Sequence, residues 1–256
     1  MITSSSNQQI KNIILLNKKA KARREQGLFV AEGRKMFLEA PGEWIEKVFL
    51  SESFFEKENE ILPDGIQYEV VEDHVFASAC DTKTPQGILS LIKIPSYTEE
   101  QVTGGENPFL IVLEDLQDPG NVGTILRTAE GAGVTGIVVS RRTADLFQPK
   151  TIRATMGSIY RMPILEVYDP AAFLQRLSAH GIQSYAAHLR GKESYRVQDY
   201  TGPTAILIGN EGNGLSDALA AAASRLVRIP MEGRVESLNA AIAAAVLMYE
   251  VHGQRN

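Results

Sequence analysis

The pattern of apolar and polar positions divides the chain into two halves. In the first half, short apolar runs at residues 44–51, 68–71 and 87–94 alternate with polar stretches of helical periodicity. Strands that alternate with short helices indicate a small α/β unit. A further helical stretch, residues 7–27, precedes these runs and has only a partial apolar stripe.

The second half has more uniform apolar runs. Residues 109–113 are entirely apolar, and residues 136–140 and 204–208 are largely so, which is typical of parallel strands buried on both faces. Helical patterns lie between them, at residues 122–132, 148–158 and 170–179 among others. This half is therefore predicted to be an α/β domain built on a parallel sheet.

A polar segment separates the two halves. Residues 95–108 contain Gly104 and Gly105 between flanking prolines, a composition typical of linkers. The predicted organisation is an N-terminal domain at residues 1–96, a linker at residues 97–107 and a C-terminal domain at residues 108–256.

The last apolar stretch combines a strand, a loop and a helix. A short strand at residues 226–229 leads into a loop, and an Ala-rich helix follows from about Leu238. That helix is apolar on every side, so it is expected to be buried in a core or against another chain. Its apolar run is far shorter than the roughly 20 residues that cross a bilayer, and residues 1–11 lack a signal-peptide core. The expected location is the cytoplasm.

Charge and cysteine content narrow the possible partners. The formal net charge is −5, so a nucleic-acid partner would need a local basic patch. The helical stretch at residues 7–27 supplies one, and its candidate residues for binding a phosphate backbone are Lys11, Lys18, Lys19, Arg23 and Arg24. A solvated amphipathic helix is the alternative interpretation. One cysteine and four scattered histidines give no metal-ligand spacing, so no metal is expected.

Three loops each follow a buried strand, where open α/β sheets bind ligands. They read E-D-L-Q-D-P-G-N-V-G-T-I-L-R at residues 114–127, G-N-E-G-N-G-L at residues 209–215, and a polar stretch at residues 230–239. The glycine spacing of the second loop is not that of a nicotinamide site, and no acidic residue follows at the ribose-binding distance. A phosphate-binding P-loop and a serine nucleophile elbow are also absent.

Together, these loops resemble the motifs of the SpoU/TrmH family of RNA 2′-O-ribose methyltransferases, within the SPOUT superfamily. The similar segments are N-V-G-T-I-L-R-T-A at residues 121–129, I-L-I-G-N-E-G-N-G-L at residues 206–215, and R-I-P-M followed by E-S-L-N-A-A-I-A within residues 228–243. The segment I-R-A-T-M-G-S-I-Y-R-M-P at residues 152–163 is similar as well. The resemblance spans residues 109–251.

The resemblance has consequences for the fold. It implies a C-terminal SPOUT domain with a parallel sheet and a deep trefoil knot, which periodicity alone would not suggest because chains rarely form knots. The first domain resembles the family's small α/β substrate-binding domain, which is similar to a ribosomal RNA-binding protein. The family also implies a homodimer formed through the knot region, and the all-round apolar helix is consistent with such an interface.

The implied reaction transfers a methyl group from S-adenosyl-L-methionine to a ribose 2′-hydroxyl of RNA. The site residues that the resemblance carries over are Asn121, Arg127, Glu211, Ser237 and Asn239. Arg127 would lie next to the reacting hydroxyl and phosphate. Because a guanidinium stays protonated, we favour a phosphate clamp that lowers the hydroxyl pKa, although the resemblance also allows a general base.

The same resemblance implies a cofactor site at Gly209, Ile229, Met231 and Leu238. Replacing Gly209 by Val is expected to abolish cofactor binding and to preserve folding. Ribosomal RNA is the expected substrate, because the separate N-terminal domain resembles that of ribosomal-RNA members. The alternatives are a transfer-RNA 2′-O-methyltransferase, a non-catalytic RNA-binding protein on the same fold, and a small-molecule α/β enzyme.

Overall fold

The computed structural model describes all residues from Met1 to Asn256, and its contacts divide the chain into two compact units. The N-terminal unit comprises Met1–Pro95 and Asp145–Tyr160, and the C-terminal unit comprises Ser96–Ala144 and Arg161–Asn256. Both units contain helices and strands, which confirms the predicted α/β class.

The elements follow one another along the chain with short connections. The strands are β1 (Leu28–Glu32), β2 (Ile45–Ser51), β3 (Tyr68–Val71), β4 (Ile88–Lys93), β5 (Phe109–Leu113), β6 (Gly136–Ser140), β7 (Ile164–Val167), β8 (Gln183–Ala187), β9 (Glu193–Ser194), β10 (Thr204–Ile208) and β11 (Arg225–Arg228). The α-helices are α1 (Gln8–Lys18), α2 (Ala20–Gln26), α3 (Arg34–Glu39), α4 (Glu52–Glu58), α5 (Asp73–Ala79), α6 (Glu99–Thr103), α7 (Pro119–Gly131), α8 (Pro149–Thr155), α9 (Pro170–Ala179), α10 (Asp217–Ala222) and α11 (Ala240–Arg255).

The N-terminal unit is built on a four-stranded sheet in the order β1-β4-β2-β3. Strand β4 runs antiparallel to β1 and β2, whereas β2 and β3 are parallel. The partial apolar stripe of α1 is buried, and its members Ile10, Ile13 and Leu16 join a core with Phe49 and Leu89. A second core, which includes Phe37 and Leu50, covers further apolar side chains of β2 and β4.

The segment Asp145–Tyr160 belongs to the N-terminal unit by its contacts, although a single C-terminal domain at residues 108–256 was expected. Aromatic packing is one physical reason. The ring of Phe29 lies 5.2 Å from that of Phe147 and 6.4 Å from that of Tyr160, centroid to centroid. The sequence pattern shows that these side chains are apolar, but not against which part of the chain they pack.

The C-terminal unit is built on a seven-stranded sheet in the order β7-β6-β5-β10-β8-β11-β9. All its strand pairs are parallel, as expected from the continuous apolar runs. Strands β5 and β10 are central and in register from Phe109 opposite Thr204 to Leu113 opposite Ile208. The trefoil knot implied by the resemblance stays a prediction.

The segment expected to be a linker contains a helix of the C-terminal unit. Helix α6 begins with a capping box, in which the Thr98 and Gln101 side chains each bond to the other residue's backbone N–H. Val102 is fully buried, and its carbonyl oxygen lies 2.3 Å from where a Cβ on Gly136 would be. Residues 99–103 thus form a helix that packs on the sheet through Val102. The polar neighbours of Val102 hide this from the sequence pattern.

Helix α11 begins at Ala240, two residues after the predicted start. Asn239 caps it, because its side-chain oxygen accepts hydrogen bonds from the backbone N–H groups of Ala241 and Ile242. One side of the helix is buried, while Ile242 and Tyr249 are about half exposed, at 53% and 52%. In the whole chain, no helix is both long and apolar enough to span a membrane.

Candidate active site

The loops that follow β5 and β10 meet at the carboxyl edge of the parallel sheet. Glu211, in the loop after β10, accepts hydrogen bonds from the backbone N–H groups of Gln117 at 3.0 Å and Asp118 at 3.1 Å. Asn121 donates a third bond from Nδ2 to Glu211 Oε1 at 3.0 Å. The first and second motifs are therefore joined through one carboxylate.

The third motif is joined to the first by an amide–amide hydrogen bond. Asn239 Nδ2 donates to Asn121 Oδ1 at 3.0 Å, while Asn239 Oδ1 is occupied by the N-terminal N–H groups of α11. Asn239, Asn121 and Glu211 thus form a continuous chain, hereafter the site chain. Because a carboxylate only accepts, Asn121 must turn its NH₂ group towards Glu211 and its oxygen towards Asn239.

The environment of Glu211 favours its ionised form. Burial of the carboxylate alone would raise its pKa. Hydrogen bonds from Gln117 N–H, the Asn121 side chain and Asp118 N–H outweigh that effect, so the pKa of Glu211 lies below its ordinary value. The site chain therefore ends in a negative charge at neutral pH.

Arg127 and Ser237 lie outside the site chain. The Arg127 side chain, on α7, is exposed to solvent and makes no hydrogen bond or ion pair. The Ser237 side chain is also exposed and has no hydrogen-bond partner. Both groups are therefore free to contact a ligand.

A cavity of about 370 Å³ lies between the second and third motif loops, within the range of small-molecule sites. The four predicted cofactor residues, Gly209, Ile229, Met231 and Leu238, all line it. So do three of the predicted catalytic residues, Glu211, Ser237 and Asn239. Asn121 and Arg127 do not line this cavity.

The cavity wall is made of tightly folded backbone. Asn210 and Gly214 exchange two backbone hydrogen bonds, at 3.0 and 2.9 Å. A Cβ on Gly209 would lie 2.3 Å from the backbone of Gly214 and Leu215. Any side chain at position 209 would collide with main-chain atoms, so Gly209→Val must displace this loop, and preserved folding of the rest of the domain stays a prediction.

These features fit S-adenosyl-L-methionine, which combines a flat aromatic base with a charged amino-acid group. Because Gly209 has no Cβ, the backbone of Gly214 and Leu215 can pack directly against it, and this shapes the loop that lines the cavity. Ile229, Met231 and Leu238 give the cavity apolar surface that suits a flat base, and the loop backbone supplies hydrogen-bonding groups.

Some site residues escaped the sequence reasoning. Gln117 and Asp118 contribute backbone N–H groups, and Asn210 shapes the second loop by accepting from the N–H groups of Gly212 and Asn213. Only their position inside the motif segments could have indicated them, because the backbone donors of Gln117 and Asp118 have no side-chain signature and asparagine is common in ordinary loops.

The candidate RNA-binding residues of the N-terminal unit divide into two groups. Lys11, Lys18, Lys19 and Arg24 are exposed, as a role in binding phosphate requires. Arg23 is not, and its assignment to RNA binding is corrected. Its side chain is 5% exposed, pairs with Asp145 at 2.6 Å, and donates to the carbonyl oxygens of Leu16 and Asn17.

Comparisons with known proteins identify the family of the chain. The sequence model described as "SpoU rRNA Methylase family" matches residues 108–249, and that described as "MRM3-like substrate binding domain" matches residues 7–90. The 23S rRNA (guanosine(2553)-2′-O)-methyltransferase RlmP of Bacillus subtilis is 33% identical over 98% of this chain and 99% of its own length.

Solved structures give the same result. The AdoMet-bound rRNA methyltransferase of Sinorhizobium meliloti matches with a TM-score of 0.88 and 33% identity, covering 98% of this chain and 97% of that one. The SpoU methyltransferase AviRb of Streptomyces viridochromogenes, in complex with AdoMet, matches with a TM-score of 0.88 and 25% identity, covering 97% and 98%.

The fold and the site define a methyltransferase that uses S-adenosyl-L-methionine. The chain belongs to the SpoU rRNA methylase family.

Proposed function

We propose that this enzyme transfers a methyl group from S-adenosyl-L-methionine to a ribose 2′-hydroxyl of 23S ribosomal RNA. The observation that carries the proposal is the site chain, whose members Asn239 and Glu211 also line the cofactor-sized cavity. The full-length similarity to RlmP, a 23S rRNA 2′-O-methyltransferase, supports both the atom modified and the RNA class.

When bound, S-adenosyl-L-methionine would supply an electrophilic methyl group: its S–CH₃ bond breaks as the ribose O–CH₃ bond forms, S-adenosyl-L-homocysteine is the leaving group, and the hydroxyl proton passes to solvent water. The protein's own task is to align a neutral hydroxyl with that group and to make it more acidic. Arg127 suits the second task, because a free guanidinium beside the target nucleotide binds the RNA phosphate in a bidentate manner and stabilises negative charge developing on the ribose oxygen.

Glu211 acts in this proposal as an orienting group rather than as the general base. Both of its carboxylate oxygens already accept hydrogen bonds, Oε1 from Asp118 N–H and Asn121, and Oε2 from Gln117 N–H. Asn121 and Asn239 are held by the hydrogen bonds of the site chain and present fixed amide groups to the ribose. Ser237, whose hydroxyl has no partner in the protein, completes the set.

The cofactor lies, in this proposal, against Gly209, Ile229, Met231 and Leu238. The cavity that these four residues line supports the assignment. The RNA is held in addition by the N-terminal unit, through the exposed cations Lys11, Lys18, Lys19 and Arg24. The match of residues 7–90 to a substrate-binding domain supports that role.

The proposed assembly is a homodimer formed through α11. The half-exposed Ile242 and Tyr249 give this helix an apolar outer flank, which a second copy would cover. Sedimentation equilibrium is expected to show a dimer at micromolar concentration, and a stable monomer would contradict this part of the proposal. An enzyme of ribosomal RNA is expected to work in the cytoplasm.

The test is methyl transfer from labelled S-adenosyl-L-methionine to RNA from a strain that lacks the gene. Purified 23S RNA, ribosomal particles and transfer RNA are assayed separately, with Asn121→Ala as the inactive control. Label recovered as an alkali-resistant dinucleotide from 23S RNA or particles is the expected result. Label in transfer RNA alone would show that transfer RNA, and not 23S RNA, is the substrate. Intact cofactor binding without label in any fraction would favour a non-catalytic RNA-binding protein.

A further inference from the structure

Asp115 is not among the predicted site residues, but it adopts an unusual backbone conformation beside the site chain. It follows β5 by two residues and has φ of 56°, and apart from Met156 it is the only non-glycine residue with positive φ. Side-chain-bearing residues adopt this left-handed conformation at a cost, so surrounding contacts must hold it. Strained residues of this kind cluster at functional sites.

Ser140 supplies the first of those contacts. It lies at the end of β6, is 5% exposed, and donates from Oγ to Asp115 Oδ1 at 2.6 Å. The backbone N–H of Asp115 donates back to the same Oγ at 2.9 Å. This reciprocal pair fixes both the side chain and the main chain of Asp115. Arg142 adds an ion pair to Oδ2 at 2.6 Å, but its own side chain is 81% exposed.

The turn at Asp115 fixes the position of Glu211 through two sets of hydrogen bonds. The Asp115 carbonyl oxygen accepts from Asn210 Nδ2 at 2.8 Å, which anchors the residue directly before Glu211. Immediately after the turn, the backbone N–H groups of Gln117 and Asp118 point at the Glu211 carboxylate. A second bond, from Gln117 Nε2 to the Asp115 carbonyl oxygen at 2.9 Å, tightens the turn.

We infer that Asp115 is a positioning residue for methyl transfer: its carboxylate, held by Ser140, maintains the left-handed turn that aims Gln117 N–H and Asp118 N–H at Glu211. Asp115 acts through Glu211 and the site chain and touches neither substrate. The loss of methyl-transfer activity expected below rests on the proposed function, whereas the expected change in the amide signals of Gln117 and Asp118 does not.

The test compares Asp115→Ala, Asp115→Gly and Asp115→Asn. Alanine disfavours the turn and lacks the carboxylate, whereas glycine tolerates the turn but cannot hold it. Asparagine tolerates the left-handed conformation and keeps an acceptor for Ser140, so Asp115→Asn should retain the turn and the activity. Because small misplacements in an active site cost large factors in rate, kcat of Asp115→Ala should fall by about tenfold or more, with glycine intermediate. The KM for S-adenosyl-L-methionine should change far less than kcat.

A spectroscopic measurement separates positioning from general destabilisation. The amide protons of Gln117 and Asp118, which donate to a carboxylate, should resonate downfield in the wild type. They should move upfield in Asp115→Ala and return in Asp115→Asn. Ser140→Ala, which removes the bond from the other side, should reproduce the alanine result if Asp115→Ala does not fold. Arg141→Ala, an exposed neighbour whose ion pair is with Glu166 and not with Asp115, is the control and should leave both signals in place.

Unchanged amide signals in a folded Asp115→Ala protein, or kcat within about twofold of wild type, would overturn the inference. If the wild type itself methylates no RNA, the proposed function fails, whereas the amide signals still decide whether Asp115 positions Glu211.

Discussion

Asn239 donates a hydrogen bond to Asn121, 118 residues earlier in the chain, at 3.0 Å. The donor caps the last helix, and the acceptor lies in the first turn of α7. Since Asn121 in turn donates to Glu211, one amide group links three motifs that are distant in sequence. The rigidity of this link is what a reaction limited by alignment requires.

Asn121→Asp is the sharpest test of that link. The substitution keeps the oxygen that accepts from Asn239 but places a second carboxylate 3.0 Å from Glu211, where a donor stood. Like charges repel, so the pKa of Glu211 should rise and the hydrogen bond between residue 121 and Glu211 should be lost from the site chain. We expect the single-turnover methylation rate to fall by about 10²-fold, the scale of losing one fixed polar group in a site. Thr124→Ala, an exposed change on the same helix, should leave the rate unchanged.

The central sheet could be predicted well from the sequence, because a continuous aliphatic run bounded by turn residues is typical of a buried parallel strand. The predicted strands at residues 109–113, 136–140 and 204–208 coincide with β5, β6 and β10. The resemblance brought together Asn121, Glu211 and Asn239, and the structure joins them. It could not give the buried environment of Arg23, because charge in a sequence does not reveal a partner 122 residues away.

The turn at Asp115 was also beyond prediction, since aspartate is common in ordinary turns and helix caps. Its positive φ depends on Ser140, at the end of a neighbouring strand. Helix α6 was missed for a related reason: one buried valine in a polar stretch has no periodicity. In each case the deciding contact is distant in sequence.

Gly209→Ala should disrupt cofactor binding through backbone displacement. The added Cβ would lie 2.3 Å from the main chain of Gly214 and Leu215, so the loop must open. We expect the Kd for S-adenosyl-L-methionine, measured by calorimetry, to rise by at least about tenfold, as for loss of a well-formed binding contact. Gly233→Ala is the matched control, because a Cβ there meets nothing within 4 Å. Equal affinities in the two variants would contradict the placement of the cofactor.

Arg127→Lys should separate charge from geometry. Arg127 is exposed and unpaired, so its replacement should leave the thermal midpoint unchanged. Lysine keeps the charge but loses the bidentate fork, so kcat/KM for RNA should fall by about tenfold or more. Arg225→Lys, another exposed change in the C-terminal unit, is the control. A near-normal rate with lysine at position 127 would refute the bidentate clamp.

The lowered pKa of Glu211 should couple stability to pH. A carboxyl group whose pKa is lowered on folding stabilises the protein above its unfolded pKa, and this contribution is lost as pH falls through the folded pKa. The ordinary value is 4.5 and the folded value lies below it. The difference in thermal midpoint between wild type and Glu211→Gln should therefore be largest near neutral pH and should shrink below about pH 4.5. A difference that is constant across this range would contradict the lowered pKa.

Arg23 should matter for stability rather than for RNA binding. Removing one partner of a buried ion pair leaves the other uncompensated, so Arg23→Ala should lower the free energy of unfolding by about 3–5 kcal/mol, measured in urea. The double variant Lys18→Gln, Lys19→Gln is the counterpart, because both lysines are exposed and neither forms a salt bridge. It should leave the free energy of unfolding unchanged and weaken RNA binding. The slope of log K for RNA binding against log salt concentration should become shallower by about 0.7 per lost phosphate contact. If Arg23→Ala instead weakened RNA binding and left the urea midpoint unchanged, the original assignment of Arg23 to the RNA-binding surface would be restored.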